Sequence, residues 1–486
     1  MAVRAVVVIL CAAAVPSYAR QDGIARTPPM GWSSWYAYGA DFNETSVLEA
    51  ADALVRTGLR DAGYEYVNLD DGWMAPMRDR FGRLQGDPDR FPHGMKWLAN
   101  EIHSRGLKFG LYGCVGVRTC LGFPGQFEHE YDDARLLAEW GIDFWKHDNC
   151  WQEWATVDLY APELTNSTIP GGRAYLEGLS YGLNIRGLST DGEDAHPIYF
   201  RNLSGLPSAM PDPHPWVFAS ARRKQIQQYE AYRLFGEALE STGRKILYNP
   251  TPLISGCDAS VWEYYRDYAH MVMNQCPQID NTDRWDSLTT HLDDNNAYPG
   301  RADAAGPGYW NDMDMLMVGF KALKAWQPRQ GVEEYRSQIS LFAVLAAPLI
   351  FSADIRGTTA QNLPTVDGTN ATAPITSVLA NREVLRVSQD PLGRQGWLTA
   401  ALGSNKTLEV YMRPLADGAA AVAVLNRGAA GAELSVSWPD AGLPKGYKVA
   451  SVRDLWAGAE KEHSNTGISL SVCSHCTRLL RVVPVA

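Results

Sequence analysis

The sequence predicts a (β/α)8 TIM barrel followed by a C-terminal antiparallel β-sandwich domain, and three observations support this expectation. Between residues 27 and 389, short apolar runs recur, each followed by a polar cluster and an amphipathic stretch typical of a helix. There are eight such runs, the number of strands in a TIM barrel. After Leu392 the pattern changes to short strand-like segments separated by glycine-containing turns.

The eight apolar runs are the predicted barrel strands. They are Met30–Trp35, Tyr66–Leu69, Lys108–Tyr112, Phe144–Lys146, Ile246–Tyr248, Pro277–Ile279, Tyr309–Trp310 and Pro348–Ser352. Helices are predicted between them, and those over Val47–Ala62 and Tyr131–Trp140 end at Gly63 and Gly141, which can stop a helix in the left-handed conformation. A further helix is predicted over Arg222–Gly243.

The predicted domain boundaries place the barrel at residues 24–392 and the sandwich at 393–486. The sandwich strands are expected at Leu408–Met412, Ala420–Leu425, Ala432–Trp438, Tyr447–Leu455 and Leu479–Val483. Residues 151–221 form an insertion in the barrel that is rich in proline, glycine, serine and aromatic residues. Such an insertion is typical of a lid or an extra subsite, and a purely structural flap is the alternative.

The amino terminus predicts entry into the secretory pathway. Arg4 precedes the apolar run Ala5–Val15, and Ser17-Tyr18-Ala19 has the small residues of a signal-peptidase site, so residues 1–19 are interpreted as a signal peptide. The expected destination is extracellular, lysosomal or vacuolar. The candidate glycosylation sites are the Asn-x-Ser/Thr sequons at Asn43, Asn166, Asn202, Asn370 and Asn405.

The cysteines and the net charge limit the remaining possibilities. Seven cysteines follow the signal peptide, which permits at most three disulfides. The Cys473-Ser-His-Cys476 segment could be half of a zinc site, but the sequence has no second pair at metal spacing, so a local disulfide is expected. The net charge of −11 disfavours a nucleic-acid or anionic-membrane partner, because either would require a basic surface.

Acidic and aromatic residues dominate the predicted strand ends, which line the active site in a TIM barrel. In chain order these residues are Trp32, Trp35, Asp70, Asp71, Tyr112, Lys146, Asp148, Asn249, Asp280, Asp312, Asp314, Ser352 and Asp354. Crowded carboxylates persist only where a cation, a polyhydroxyl ligand or a reaction needs them. Lys146 shares a strand face with Asp148 and supplies the positive charge that a metal would otherwise provide. A sugar suits this set, because its hydroxyls pair with carboxylates and lysine, and glycoside hydrolysis needs two carboxylates.

Six ordered motifs resemble the signatures of glycoside hydrolase family 27, which holds the α-galactosidases and α-N-acetylgalactosaminidases. They are Thr27–Trp35, Leu69–Trp73, Lys108–Tyr112, Thr119–Gly125, Lys146–Cys150 and Gly306–Leu316. Two later segments, Gln389–Gly393 and Val452–Trp456, resemble the family's barrel exit and its sandwich domain. The resemblance covers the chain after the signal peptide except the 151–221 insertion. It implies a retaining double displacement that needs no metal and no cofactor.

The resemblance implies catalytic roles for two aspartates. Asp148 matches the nucleophile in the motif Lys-x-Asp-x-Cys, and Lys146 is expected to hold its pKa down and keep it ionised. Asp280 matches the acid/base, because it lies five residues before the segment that begins at Trp285. Asp283 is the second candidate for the acid/base, but it lies in the loop after the predicted strand.

The implied sugar contacts include two departures from the family. The contacts are Trp35 for the ring face, Asp70 and Asp71 for the C6 and C4 hydroxyls, and Tyr112, Lys146 and Asp314. Cys276 stands where the family has an arginine near the sugar 2-position. Thr251 stands at or near the family's glutamate or serine, which distinguishes a 2-hydroxyl from a 2-acetamido group. A galacto-configured sugar is therefore expected, with the group at C2 left open.

The resemblance also implies the disulfide pairing. It pairs Cys120 with Cys150 and Cys257 with Cys276, adds Cys473 with Cys476, and leaves Cys114 as a buried, inert thiol.

The expected function is that of a secreted retaining exo-glycosidase that hydrolyses terminal α-linked galactose from an oligosaccharide or glycoconjugate. One alternative is a family member of shifted specificity, such as an α-N-acetylgalactosaminidase, a β-L-arabinopyranosidase or a polysaccharide-acting enzyme. Another is a catalytically silent sugar-binding protein, against which the presence of both catalytic aspartates argues. No nucleic acid, membrane, cofactor or metal is expected as a partner, and the chain could form a homodimer.

Overall fold

The computed structural model describes residues 20, 22–150, 228–252, 265–273, 281–298, 300–319, 330–356, 375–403 and 405–485. Several predicted features lie outside these residues. They are the signal peptide, the 151–221 insertion, the start of the helix predicted at Arg222, the Cys257–Cys276 pair, Asp280, and the sequons at Asn166, Asn202 and Asn370.

Eight parallel strands form the barrel. They are β1 Met30–Ser33, β2 Tyr66–Asn68, β3 Lys108–Cys114, β4 Phe144–Asp148, β5 Leu247–Pro250, β6 Met271–Met273, β7 Trp310–Asp312 and β8 Leu349–Phe351. Six of them pair in the order β5-β4-β3-β2-β1-β8, and β6 pairs with β7. His270 joins β6 to β5 through a bond from its N to Tyr248 O, and Leu316 N donates to Ile350 O beside β8. These bonds close the barrel and confirm the predicted fold.

The sixth strand differs from the prediction. It is Met271–Met273, whose three residues are all buried, and it pairs in register with Trp310–Asp312. The predicted position, Pro277–Ile279, is later in the chain than this strand and lies outside the described residues. Three consecutive buried apolar residues give no alternation from which a strand this short could be recognised.

The described helices pack around the strands. They are Trp35–Tyr38, Glu44–Arg56, Met95–Ser104, Glu130–Trp140, Gln228–Ser241, Trp285–Ala297, Gly300–Ala304, Val332–Val344, Ile375–Leu379 and Arg382–Ser388, with a 3-10 turn at Arg60–Ala62. The helix predicted to end at Gly141 does so, and Gly141 adopts a φ of 81°. None of the described helices is both long and apolar enough to cross a bilayer.

Helix Glu44–Arg56 is shorter than predicted at its C-terminal end. It begins at a capping box, in which Asn43 Oδ1 accepts from Ser46 N and Ser46 Oγ accepts from Asn43 N, both at 2.9 Å. The chain turns at Gly58, with a φ of 80°, before the 3-10 turn that ends at Gly63. The predicted continuation to Ala62 is wrong because this turn interrupts the helix.

The second domain is an antiparallel sandwich. Its strands are β9 Trp397–Leu402, β10 Leu408–Pro414, β11 Ala420–Asn426, β12 Ala432–Ser437, β13 Val449–Asp454, β14 Ala459–Glu460, β15 Gly467–Val472 and β16 Thr477–Pro484. A six-stranded sheet, in the order β14-β13-β16-β11-β10-β9, packs over the β12-β15 pair. The five predicted strands are confirmed as elements, whereas β9, β14 and β15 were not predicted.

The two domains share a buried interface centred on helix Val332–Val344. Trp456 Nε1 donates to Ser340 Oγ at 2.8 Å, and Arg413 donates to Ala343 O at 2.6 Å. The Arg413 side chain is fully buried there. The sandwich therefore packs directly against an outer helix of the barrel.

Candidate active site

Lys146 and Asp70 connect the ends of β4 and β2, across β3, at the mouth of the barrel. Lys146 lies on β4 and donates from Nζ to Asp70 Oδ2, just after β2, at 2.7 Å. Burial lowers the pKa of Lys146, but the carboxylates of Asp70, Asp148 and Asp314 raise it well above its usual value. One ammonium group is thus held charged among three predicted sugar-binding or catalytic acids.

Asp148 ends β4 and has a fixed orientation. The Tyr112 hydroxyl donates to Asp148 Oδ2 at 2.7 Å, and Asn149 N donates to Oδ1 at 2.8 Å. Burial raises the pKa of Asp148, while Lys146, Tyr112 and Asn149 oppose this effect. The net pKa lies above the ordinary value, so the expectation that Lys146 would hold it down is corrected: the lysine lowers the pKa, but burial outweighs it.

A disulfide forms the wall beside Asp148. Cys120 and Cys150 are bonded, and Cys120 Sγ lies 3.3 Å from Asp148 Oδ2. Cys473 and Cys476 form the second described disulfide. Both pairings confirm the prediction, and Cys114 is a free, buried cysteine whose thiol pKa is raised by burial. A thiol in this environment is inert, as expected.

Asp71 is buried beside Asp70 and is held by backbone amides. Leu121 N donates to Asp71 Oδ2 at 2.8 Å, and Gly72 N donates to Oδ1 at 2.7 Å. Burial raises the pKa of Asp71 to about 7. Its carboxyl group can therefore either accept from or donate to a sugar hydroxyl at mildly acid pH.

Asp314 lies on the opposite side of the mouth in a strained backbone conformation. Its φ is 65°, and its N donates to Asp312 Oδ1 at 3.0 Å. The Asp314 carboxylate accepts from Tyr36 OH at 3.2 Å and from Asn281 N at 2.8 Å. The sequence does not predict Tyr36 or Asn281 as site residues; the signal for Tyr36 is that it directly follows the first motif, which ends at Trp35.

Asp312 supports this arrangement from behind. It accepts from Asn249 Nδ2, at the end of β5, at 3.0 Å. Burial raises the pKa of Asp312 to about 6. The bond between Asp312 and Asn249 therefore joins the end of β7, which Asp314 follows, to the end of β5, which Thr251 follows.

Trp35 and Thr251 occupy different environments. Trp35 opens a helical turn directly after β1 and is partly exposed, whereas Trp32 is buried and donates to Ala353 O at 2.8 Å. Thr251 is buried behind Asn149, and its backbone O accepts from the Tyr232 hydroxyl at 3.0 Å. The Thr251 hydroxyl has no hydrogen-bond partner among the described residues.

The two candidates for the acid/base differ in what the structure describes. Asp280 lies outside the described residues, but its neighbour Asn281 donates to Asp314 in the mouth. Asp283 is buried and accepts from Tyr335 OH, on helix Val332–Val344, at 2.8 Å. Asp283 is therefore engaged with the outer helical layer.

Two residue clusters in the described part of the chain have the spacing of metal ligands. They are Cys120, Asp148 and Cys150, and Glu333, Cys473 and Cys476. In each cluster both sulfurs are bonded to each other, so they have no thiolate to offer a metal.

His147 lies between the two site residues of β4 but points into the helical layer. It is fully buried beside Phe235 and Tyr232, and its Nδ1 is 2.8 Å from Tyr248 OH. Burial lowers the pKa of His147 to about 3. The unfolded chain therefore binds a proton at this position below about pH 6.5, whereas the folded protein does not do so until about pH 3.

We expect this histidine to destabilise the protein as the pH falls through that window. The slope is roughly 1.4 kcal/mol per pH unit, because the unfolded state binds one more proton than the native state. His147→Phe should therefore flatten the pH dependence of the unfolding free energy between pH 6 and about 4. Urea titrations at several pH values measure this, with the exposed His93→Phe as the matched control. If the unfolding free energy had the same slope against pH in wild type and in His147→Phe, the lowered pKa of His147 would be contradicted.

Comparison with known proteins identifies relatives over most of the chain. The sequence profile described as Alpha galactosidase A matches residues 27–185 and 218–375. The profile described as Alpha galactosidase C-terminal beta sandwich domain matches residues 405–482. The unmatched residues 186–217 lie within the predicted insertion.

Individual relatives agree with these matches. Alpha-galactosidase 3 of Arabidopsis thaliana is 34% identical over 92% of this chain and 79% of its own. Alpha-N-acetylgalactosaminidase of Gallus gallus is 30% identical over 93% of this chain and 92% of its own. The crystal structure of alpha-galactosidase I from Mortierella vinacea superimposes with a TM-score of 0.70 at 26% identity, covering 95% of this chain and 98% of that one.

Proposed function

Because the chain belongs to glycoside hydrolase family 27, we propose that it is a retaining exo-glycosidase that removes terminal α-linked galactose from an oligosaccharide or glycoconjugate. One observation carries the proposal: Asp70 fixes Lys146, and Tyr112 fixes Asp148, at the ends of the three consecutive strands β2, β3 and β4. This places a carboxylate of fixed orientation beside groups that pair with sugar hydroxyls.

The proposed mechanism is a double displacement. Asp148 attacks C1 and forms the C1–O bond of a glycosyl ester while Asp280 protonates the departing glycosidic oxygen. Asp280 then removes a proton from water, whose oxygen attacks C1 and releases Asp148. Burial keeps Tyr112 protonated by raising its pKa well above the usual value, so its hydroxyl remains a donor to the attacking carboxylate.

Separate features support a second specificity, for a sugar that carries a 2-acetamido group. Thr251 is short and its hydroxyl lacks a described partner, and Cys276 replaces the arginine expected at the sugar 2-position. A small side chain leaves room for a 2-acetamido group. We therefore keep α-N-acetylgalactosaminidase activity as the first alternative, and rank the other shifted specificities after it.

A panel of nitrophenyl glycosides tests the proposal. We expect the α-galactoside to give the highest kcat/KM, at least about tenfold above the α-N-acetylgalactosaminide, the β-L-arabinopyranoside and the β-galactoside. Proton NMR should detect α-galactose as the first product, because two inversions retain the anomeric configuration. Preferred turnover of another glycoside would favour the alternative, and no turnover at all would favour a sugar-binding protein.

We also propose that the protein matures in the secretory pathway. The two described disulfides support this, because such bonds persist in oxidising compartments. The sequon residues Asn43 and Asn405 are exposed and accessible to glycosylation. Treatment of the expressed protein with a glycan-cleaving amidase, followed by mass spectrometry, tests both the cleavage after Ala19 and the occupied sites.

A further inference from the structure

One buried serine fixes the first helical turn after β1 to the end of β8. Ser352, which directly follows β8, accepts at its Oγ from Tyr36 N at 2.9 Å and from Ala37 N at 3.1 Å. The same hydroxyl donates to Ser33 O, at the end of β1, at 2.7 Å. Because a hydroxyl has one proton and two lone pairs, these bonds use its full hydrogen-bonding capacity. Ser352 therefore fixes the backbone of the turn Trp35–Tyr38 at the mouth of the barrel.

This turn brings the Tyr36 hydroxyl to the carboxylate of Asp314. The Tyr36 side chain is buried, and its OH donates to Asp314 Oδ2 at 3.2 Å. Asn281 N donates to the same oxygen at 2.8 Å. The Asp314 backbone, with its φ of 65°, is held by the bond from its N to Asp312 Oδ1. Protein groups therefore fix both the backbone of Asp314 and one of its two carboxylate oxygens.

The two oxygens of the Asp314 carboxylate have different surroundings. Oδ2 has two protein donors, whereas no donor reaches Oδ1 from the part of the chain that the structure describes. Asp314 is buried, and it lies close enough to Lys146 to raise the pKa of that lysine. A buried carboxylate oxygen requires a hydrogen-bond donor. Oδ1 is therefore the oxygen that remains to accept from a sugar hydroxyl.

We infer that Tyr36 is a positioning residue for sugar binding: by donating to Asp314 Oδ2, it turns Oδ1 of the same carboxylate towards the substrate. The inference rests on the proposed function, in which Asp314 binds a hydroxyl of the sugar. Because Asp314 breaks no bond in the proposed reaction, its contact is made in the bound substrate and in the transition state alike. Loss of the Tyr36 hydroxyl should therefore weaken sugar binding and leave the chemical step almost unchanged.

The variant Tyr36→Phe tests this inference because it keeps the ring and removes only the hydroxyl. We expect KM for the nitrophenyl glycoside that wild type prefers to rise about tenfold, with kcat changed less than about twofold. The inhibition constant of the corresponding free sugar, measured by competition, should rise by the same factor, because the free sugar makes the same contact without reacting. Thermal unfolding checks that the variant is folded.

Tyr38→Phe is the matched control. Tyr38 lies in the same turn, and its OH donates to a different carboxylate, that of Asp354, at 3.2 Å. The two oxygens of Asp354 accept from Arg356 at 2.9 and 2.7 Å, so this carboxylate is engaged by protein groups on both sides. Tyr38→Phe should keep KM, kcat and the inhibition constant within about twofold of wild type.

A double-mutant cycle with Asp314→Ala tests whether the hydroxyl acts through Asp314. Because the carboxylate is already absent in Asp314→Ala, adding Tyr36→Phe should lower kcat/KM less than about twofold further. Unchanged KM and inhibition constant in Tyr36→Phe would overturn the inference. So would equal shifts in Tyr38→Phe, or a further tenfold loss in the double variant.

Failure of the proposed function gives a different result from failure of this inference. If wild type prefers a sugar other than galactose, the proposed substrate is wrong, and the Tyr36 comparison is made with the preferred glycoside and its free sugar. If wild type turns over no glycoside, the proposed function and the role of Tyr36 in it are both overturned.

Discussion

Replacement of Asp148 by asparagine is expected to lower kcat/KM for an aryl α-galactoside by at least about 10⁴-fold, because an amide cannot form the glycosyl ester. The variant should fold normally, since its one side-chain oxygen can accept from Asn149 N and its amide group, in place of Oδ2, can donate to the Tyr112 hydroxyl oxygen. Thermal unfolding should give a Tm equal to or above that of wild type, because the variant buries no charge at this position. Steady-state kinetics and circular dichroism measure both results.

The smaller variant Asp148→Gly tests the same assignment chemically. Azide can enter the space left by the side chain and attack C1 from that face as the aglycone departs, which forms a C1–N bond. We expect azide to restore turnover and to yield the β-galactosyl azide, which NMR identifies. Asp132→Asn, an exposed substitution on helix Glu130–Trp140, is the matched control. Full activity in Asp148→Asn would show that another residue is the nucleophile.

The strands that the sequence predicts well are those whose ends carry polar motifs. The motif at residues 69–73 begins just after β2, and the motif at 146–150 spans the end of β4, so the change from apolar to acidic residues marks where each strand ends. Met271–Met273 has no such motif within it, and no strand is predicted there. Strand β15 has a clear alternation of buried Ile468, Leu470 and Val472 with serines, which is a strand pattern that the sequence does contain.

For the candidate site, too, the sequence predicts some properties and not others. The sequence indicates which charges are neighbours, as with Lys146 and Asp148 on one strand face. It does not indicate how deeply each group is buried, and burial decides the direction of the Asp148 and Asp71 pKa shifts. Contacts between distant segments, such as Tyr36 and Asn281 on Asp314 or His475 on Trp285, depend on tertiary packing that no local pattern contains.

Replacement of Asp280 by asparagine is expected to separate substrates by their leaving groups. For an α-galactosyl-glucose disaccharide, kcat/KM should fall by about 10² to 10⁴-fold, because asparagine cannot protonate the departing sugar oxygen. For α-galactosyl fluoride, which needs no acid, kcat/KM should fall far less. The kcat for the fluoride should nevertheless be low, since water must attack the glycosyl enzyme without a general base.

The variant Asp283→Asn tests which of Asp280 and Asp283 is the acid/base. Because Asp283 accepts from Tyr335 OH in the outer helical layer, its replacement should lower Tm and leave the ratio of the two kcat/KM values unchanged. Azide, which attacks C1 without a base, should raise kcat for the fluoride in Asp280→Asn and not in Asp283→Asn. If Asp283→Asn lost activity selectively on the disaccharide and was activated by azide, and Asp280→Asn showed neither effect, Asp283 would be the acid/base.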